Sequence, residues 1–467
     1  MPPFTMTIGG ESVAGRETFE VTDPATGKAF AEAPSCSPAD VDRAMRAAER
    51  AFATWKDDEA ARRAALGRAA KAIEEGAEPL ARLLSQEQGK PLRFAKREVL
   101  GAAATFAAHA ALAIPVEVTR RDDRGRIEVH RRPLGVTAAI APWNFPVLIA
   151  AAKLAPSLLA GNTVVLKPSP YTPLSTLKLA DLLTPLLPPG VVNVLSGGDD
   201  LGRQIVEHPA VRKISFTGSV ATGKKVAASA AAGLKRVTLE LGGNDAAIVL
   251  GDVDPDKIAL DLFWGAFLNS GQVCTAIKRM YVHESVFAAV VDAVSAIARR
   301  VKVGPGLEAE VDLGPINNAP QFERVTELFA DAKARGAKVH AGGGARPGPG
   351  YFFDATIVSG LEEDARLVAE EQFGPVLPVM PFKDIDDAIT RANDTPFGLS
   401  GSVWTSDPQR GAQIASRLDC GTAWVNQHMA LSNLAPFGGA KWSGIGYENG
   451  HWGLDAFCQL QVLNVRG

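Results

Sequence analysis

Cysteine is scarce in this chain: four in 467 residues, at Cys36, Cys274, Cys420 and Cys458. Thiols so widely spaced do not make a disulfide framework. No CxxC pair or Cys/His ligand spacing occurs, so no metal site is expected. Charge of one sign is also missing. The net charge is −3, which leaves no electrostatic footprint for nucleic acid or an acidic membrane. Residues 1–10 lack a basic segment followed by an apolar one, which argues against a secretory signal. Long hydrophobic runs are absent too. The Ala-rich stretch 102–113 contains His109 and is too short to span a bilayer. These absences point to a globular protein of the cytoplasm with no membrane or nucleic-acid partner.

What the chain has is length and alternation. At 467 residues it exceeds one ordinary core, which implies two or three domains. With 46% hydrophobic residues and a mean hydropathy near zero, its composition is globular. Residues 39–55 and 60–75 carry amphipathic helical patterns. Short apolar runs at 136–140, 162–166 and 191–195 read as buried strands, with helix at 153–160. The run 213–216, 221–232, 237–241 reads strand–helix–strand. A second series follows: a strand at 246–250, a helix through Phe263 and Phe267, a strand at 279–282 and a helix at 286–300. Residues 311–316 lead into a long helix at 321–335, and 342–350 form a Gly/Pro-rich loop. Such alternation predicts parallel sheets covered on both faces, in two α/β domains with a cleft between them. The arginines of 118–132 (Arg120, Arg121, Arg124, Arg126) suggest an anion patch, but a solvated two-stranded ribbon is the simpler reading.

Several short segments carry chemistry. In Gly271-Gln272-Val273-Cys274-Thr275-Ala276, a thiol follows a Gly-containing turn among small residues. A thiolate attacks carbonyl carbon, although a lone Cys is more often a buried small hydrophobe. Leu239-Glu240-Leu241-Gly242-Gly243 places a carboxylate among apolar neighbours at a strand end, which suits a general base or an ordinary buried pair. Pro142-Trp143-Asn144-Phe145-Pro146 fixes an amide between two prolines; a rigid amide is a good oxyanion donor. Phe216-Thr217-Gly218-Ser219 through Gly223 joins strand to helix, where the helix start favours phosphate. It is neither GxGxxG nor a P-loop. Lys167-Pro168-Ser169 and Glu371-Gln372-Phe373-Gly374-Pro375 are turns able to bind ribose hydroxyls.

Taken together and in order, these segments resemble the aldehyde dehydrogenase superfamily. The resemblance extends to Asp23-Pro24-Ala25-Thr26-Gly27, to Pro436-Phe437-Gly438-Gly439-Ala440-Lys441-Trp442-Ser443-Gly444 and to the tail from Gly450 to Arg466. It implies two Rossmann-like α/β domains with a small β oligomerisation element. Residues 1–117 and 133–241 would bind dinucleotide, 242–445 would carry catalysis, and 118–132 with 453–467 would join subunits into a homodimer or homotetramer. It implies oxidation of an aldehyde to the acid, with Cys274 as nucleophile, Asn144 and the Cys274 N–H as oxyanion donors and Glu240 as the base for thioester hydrolysis. Lys153 matches a lysine near the catalytic centre. Glu448 matches a proton-relay glutamate, although Tyr447 stands where Arg is common. Lys167 and Ser219 match adenosine-ribose and pyrophosphate contacts, with Ser169, Gly218, Gly223 and Leu241 beside them. Glu371 and Phe373 match contacts on the nicotinamide side, and Trp143 lines the cofactor site.

Pro170 departs from the pattern, since many NAD-preferring members carry Glu there. NADP therefore stays open. NAD is favoured because no further basic residue adjoins Lys167 in the sequence. By analogy, the substrate pocket is lined by Leu148, Ile149, Ala152 and Phe267, then Leu268, Val273 and Thr275, and finally Leu431 and Phe437. This apolar set predicts a neutral aliphatic or aromatic aldehyde. The alternatives are a CoA-acylating semialdehyde dehydrogenase, against which Glu240 argues, and a non-catalytic protein on the same fold.

Overall fold

The structure, a computed structural model, describes residues 3–466. The domain division above includes residues 1, 2 and 467, which lie outside the described residues.

The first sheet has eight strands in the order Glu11–Val13, Met6–Ile8, Val192–Val194, Thr163–Lys167, Val136–Ile140, Val211–Thr217, Arg236–Glu240 and Gly444–Ile445. The five central strands run parallel, and the edges add antiparallel pairs. Val136–Ile140 and Thr163–Lys167 are buried throughout, as parallel strands covered on both faces must be. One face packs Ala139, Val164 and Leu166 against helix residues such as Leu154 and Leu158. Truncating fully buried Leu154 to Ala would cost on the order of 2–5 kcal/mol. The other face packs Val165, Ile214, Phe216 and Leu239. Gly444–Ile445, placed in the second domain from sequence, pairs with Arg236–Glu240 in this sheet.

The second sheet has seven strands in the order Lys338–Ala341, Thr356–Ser359, Val376–Phe382, Ile277–His283, Asp245–Val249, Ser400–Trp404 and Thr422–Val425. Only its first strand is antiparallel. The ribbon read at 118–132 and the C-terminal strand are one element. Glu117–Asp122, Gly125–Pro133 and Cys458–Arg466 form a three-stranded antiparallel sheet. Its outer face leaves Leu460 and Val462 exposed. Among the described residues, no helix is long and apolar enough to cross a membrane.

Local signals explain most boundaries. Pro38–Trp55 starts at Ser37 in a capping box with Asp40. Ala319–Ala334 starts at capping Asn318, with Pro in its first turn. The helix expected at 153–160 begins earlier, as Pro146–Ala160, because Pro146 is pre-set for a first turn.

Candidate active site

The helix Pro255–Phe267 ends at a turn of uncommon backbone. Asn269, Ser270 and Gly271 have φ of 52°, 56° and 73°. Holding an ordinary L-residue there costs on the order of 1 kcal/mol, so neighbours must restrain Ser270. Ser270 Oγ donates to Gly314 O at 2.8 Å. Gln272 Nε2 donates to Asn269 O at 2.8 Å, while its Oε1 accepts from Asn317 N at 2.8 Å. Gly271 is pressed so close to Gly374 that a Cβ would lie 2.4 Å from the Gly374 oxygen. This braced turn presents Cys274 partly exposed. Dense surroundings push its thiol up to about 12; Lys278 opposes this, and Asp245, Glu371 and Glu240 add to it.

Asn144 follows the strand Val136–Ile140 and is 4% exposed. Its Nδ2 donates to Gln272 O at 3.0 Å, which brings the amide against the cysteine turn. Its own carbonyl accepts from Lys90 Nζ at 2.7 Å and Asn269 Nδ2 at 3.1 Å. Lys90 is buried in an ion pair with Glu98, and Glu98 Oε1 accepts from Val147 N at 3.0 Å. The amide is thus held from both sides. It carries two N–H protons, and Gln272 takes one.

Glu240 ends the strand Arg236–Glu240, and among the described residues neither carboxylate oxygen has a hydrogen-bond partner. Burial holds its proton well above the usual carboxylate range, with Glu448 adding and Lys153 opposing. Lys153 Nζ donates to Glu448 Oε1 at 2.8 Å and to Ser215 Oγ at 3.1 Å. An unpaired buried carboxylate costs stability, and such groups cluster where chemistry needs them.

The parallel strands of the first sheet end beside a cavity of about 340 Å³, lined by Ile140, Lys167, Phe216 and Val226. An apolar wall of Ile140, Phe216 and Val226 faced by polar and charged groups suits a nucleobase and its ribose. Burial pushes the Lys167 ammonium down to about 8, opposed by Asp199. The argument for NAD from an isolated Lys167 fails in space. Arg203 and Lys225 line the same cavity, together with Asp199, Asp200 and Glu207.

The strand-to-helix turn is largely self-satisfied. Gly218 N donates to Glu240 O at 3.0 Å. Ser219 caps the helix Val220–Ala232, accepting from Thr222 N at 3.2 Å. A Cβ on Gly223 would lie 2.5 Å from the Leu241 side chain, so this glycine permits close helix–strand packing. Ser169 Oγ accepts from Tyr171 N at 3.3 Å.

Turns from the two sheets meet where Trp143 stands edge-on to Phe373, with ring centres 5.3 Å apart. Glu371 Oε1 accepts from Gly243 N at 3.0 Å. A Cβ on Gly242 would lie 2.1 Å from Glu371 Oε2, so the paired glycines make room for this carboxylate. Burial raises the Glu371 pKa, against the pull of Lys278.

Of the expected pocket residues, Leu148, Ile149, Ala152, Leu268 and Phe437 are partly exposed, while Val273 and Thr275 are buried. Leu431 is 52% exposed on a loop. Phe267 is a correction. It has no exposed surface and stacks on Phe263 at 4.8 Å in the core of the second sheet. Helical spacing puts both rings on the buried face.

Sequence reasoning passed over Gln272, Lys278, Asp245 and His428. Gln272 lies within the cysteine motif, where no role was assigned to it, and Lys278 lies just beyond it. His428 carries no local signal: its Nε2 sits 2.7 Å from Thr275 O and its Nδ1 2.9 Å from Ser402 Oγ.

The aldehyde dehydrogenase family model matches residues 12–463. A phenylacetaldehyde dehydrogenase of Pseudomonas fluorescens is 39% identical over 99% of this chain and 96% of its own. A glutarate-semialdehyde dehydrogenase of Pseudomonas aeruginosa is 38% identical over 97% of this chain and 95% of its own. Among solved structures, the NAD+ complex of an aldehyde dehydrogenase from Bacillus cereus is similar at a TM-score of 0.96 and 36% identity, over 99% of this chain and 96% of that one. With the family pattern running nearly end to end, in sequence and in fold, the chain belongs to the aldehyde dehydrogenase family of oxidoreductases.

Proposed function

We propose that this protein oxidises a neutral aliphatic or aromatic aldehyde to the carboxylic acid through a thioester on Cys274. The observation that carries this reading is Glu240, a buried carboxylate with both oxygens unpartnered beside the Lys153–Glu448 pair. Cys274 gives up its proton to solvent and its sulfur adds to the aldehyde carbon, giving a tetrahedral oxyanion. The free N–H of Asn144 and the Cys274 N–H donate to that oxyanion. NAD(P), when bound, supplies the acceptor for the hydride expelled as the oxyanion collapses to the thioester. Glu240 then takes a proton from water, whose oxygen adds to the thioester carbon. The C–S bond breaks and releases the acid and the thiolate.

The cavity at Lys167, the Trp143–Phe373 pair and Glu371 fit a dinucleotide, and Lys167 and Glu371 would hold its two riboses. A neutral substrate is favoured because the cations around the nucleophile are committed. Lys90 serves Glu98 and Asn144, Lys153 serves Glu448, Lys278 serves two carbonyls, and Arg279 donates to Asn244 O and Ala392 O. Assembly as a homodimer or homotetramer through the exposed three-stranded sheet belongs to the same reading, as does a cytoplasmic location.

The test is turnover of an aldehyde panel with NAD and with NADP, for wild type and two variants. Cys274→Ala should abolish oxidation while cofactor still binds. Glu240→Gln should give one rapid burst of reduced cofactor, then slow turnover. Substantial turnover by Cys274→Ala would sink the proposal, and acyl-CoA as the stoichiometric product would replace water with a thiol acceptor.

A further inference from the structure

The strand Ile277–His283 pairs out of step with Asp245–Val249 at its start: Asp245 faces Ile277, but Ala246 faces Arg279. Lys278 is the extra residue of this bulge. Bulges re-aim side chains and recur beside active sites. Here the bulged side chain is 2% exposed. Its Nζ donates to Cys274 O at 2.6 Å and Val273 O at 2.9 Å. It also lies 3.6 Å from Glu371 Oε1 and 5.9 Å from the centre of the Phe373 ring. No step described above uses it.

A buried ammonium is costly unless its neighbours compensate. Two carbonyls and a carboxylate do so: both carbonyls belong to the cysteine turn, and the carboxylate is Glu371. The charges facing Cys274 are otherwise of one sign. Asp245 comes from the neighbouring strand, Glu371 from the turn before Val376–Phe382, and Glu240 from the first sheet. His428, held at Thr275 O, is pushed down to about 3 by burial and stays neutral. Without the Lys278 charge, a thiolate on Cys274 would face carboxylates alone.

We infer that Lys278 is a positioning residue for Cys274: it tethers the carbonyls of the cysteine turn and supplies the positive field that favours the thiolate. This rests on the reading of Cys274 as nucleophile and adds the group that readies it. Glutamine at 278 keeps a donor for the carbonyls but removes the charge, whereas arginine keeps the charge.

The test follows alkylation of Cys274 by iodoacetamide from about pH 6 to about pH 10 in full-length wild type, Lys278→Gln and Lys278→Arg. Peptide mass spectrometry separates Cys274 from Cys36, Cys420 and Cys458. Because burial holds the Cys274 thiol above this range, Lys278→Gln should slow alkylation roughly tenfold at each pH, as a further rise of about one pH unit requires. Lys278→Arg should stay within about threefold of wild type. A Lys278→Gln profile that overlies wild type overturns the inference. So does an equal slowing of Lys278→Gln and Lys278→Arg, which would leave a tether and no field. The alkylation profile reads the thiol directly, so it stands whether or not Cys274→Ala retains turnover.

Discussion

Lys153 Nζ lies 2.8 Å from Glu448 Oε1, and the two charges of this buried pair act in opposite directions on Glu240. Burial raises Glu240 most, Glu448 raises it further, and Lys153 opposes both. Glu448→Gln removes one raising charge and leaves the Lys153 cation unneutralised. Glu240 should then lose its proton at lower pH. With deacylation limiting, the acid limb of kcat should move down by roughly one pH unit. An unmoved limb would show that Glu448 does not act on the base.

Asn144 donates one amide proton to Gln272 O at 3.0 Å, which leaves the other for an oxyanion. Asn144→Ala should lower kcat by roughly 10²–10³-fold, as loss of one oxyanion donor does elsewhere. Cofactor affinity, measured by fluorescence titration, should change little. Equal losses in kcat and in cofactor binding would recast Asn144 as a support for the turn.

The legible part of this molecule is what contiguous residues encode. Apolar runs such as 136–140 and 162–166 are strands because parallel strands are buried on both faces. The helix Pro146–Ala160 was only half visible. Its first turn, Pro146-Val147-Leu148-Ile149, is apolar all round and shows no amphipathic period. Within the site, Cys274, Glu240 and Asn144 stand out because each lies in or just before a segment marked by Gly or Pro. The bracing contacts do not. Asn317 N to Gln272 Oε1 and His428 Nε2 to Thr275 O join distant segments, so no local pattern announces them. The basic company of Lys167 was hidden for the same reason: Arg203 and Lys225 come from two later helices.

Lys213 is 1% exposed, and its hydrogen-bond partner is Thr238 Oγ1. Burial pushes its ammonium down to about 7, with Lys153 adding and Glu448 opposing. Between that value and the ordinary 10.5, the unfolded chain binds a proton that the native protein does not. Stability from this group therefore rises with pH through that window, by up to about 1.4 kcal/mol per pH unit. Lys213→Met lacks the term. Its advantage over wild type in urea unfolding should be largest near pH 7 and should shrink by pH 9. A gap that is constant with pH would mean that Lys213 stays charged in the fold.

Cofactor choice can be tested at Pro170, a partly exposed residue three positions after Lys167, which lines the cavity whose walls also carry Arg203 and Lys225. These cations leave a 2′-phosphate tolerable, while Asp199, Asp200 and Glu207 oppose it. Pro170→Glu adds a carboxylate able to accept from a ribose diol and to repel a phosphate on that ribose. Dissociation constants for NAD and NADP, taken by fluorescence titration without aldehyde, should separate by roughly tenfold more than in wild type, mainly through weaker NADP binding. If both constants move together, residue 170 lies outside the field of the ribose. Discrimination would then fall to the charges on the helices Asp199–Glu207 and Val220–Ala232, with Asp199 and Lys225 the next pair to exchange.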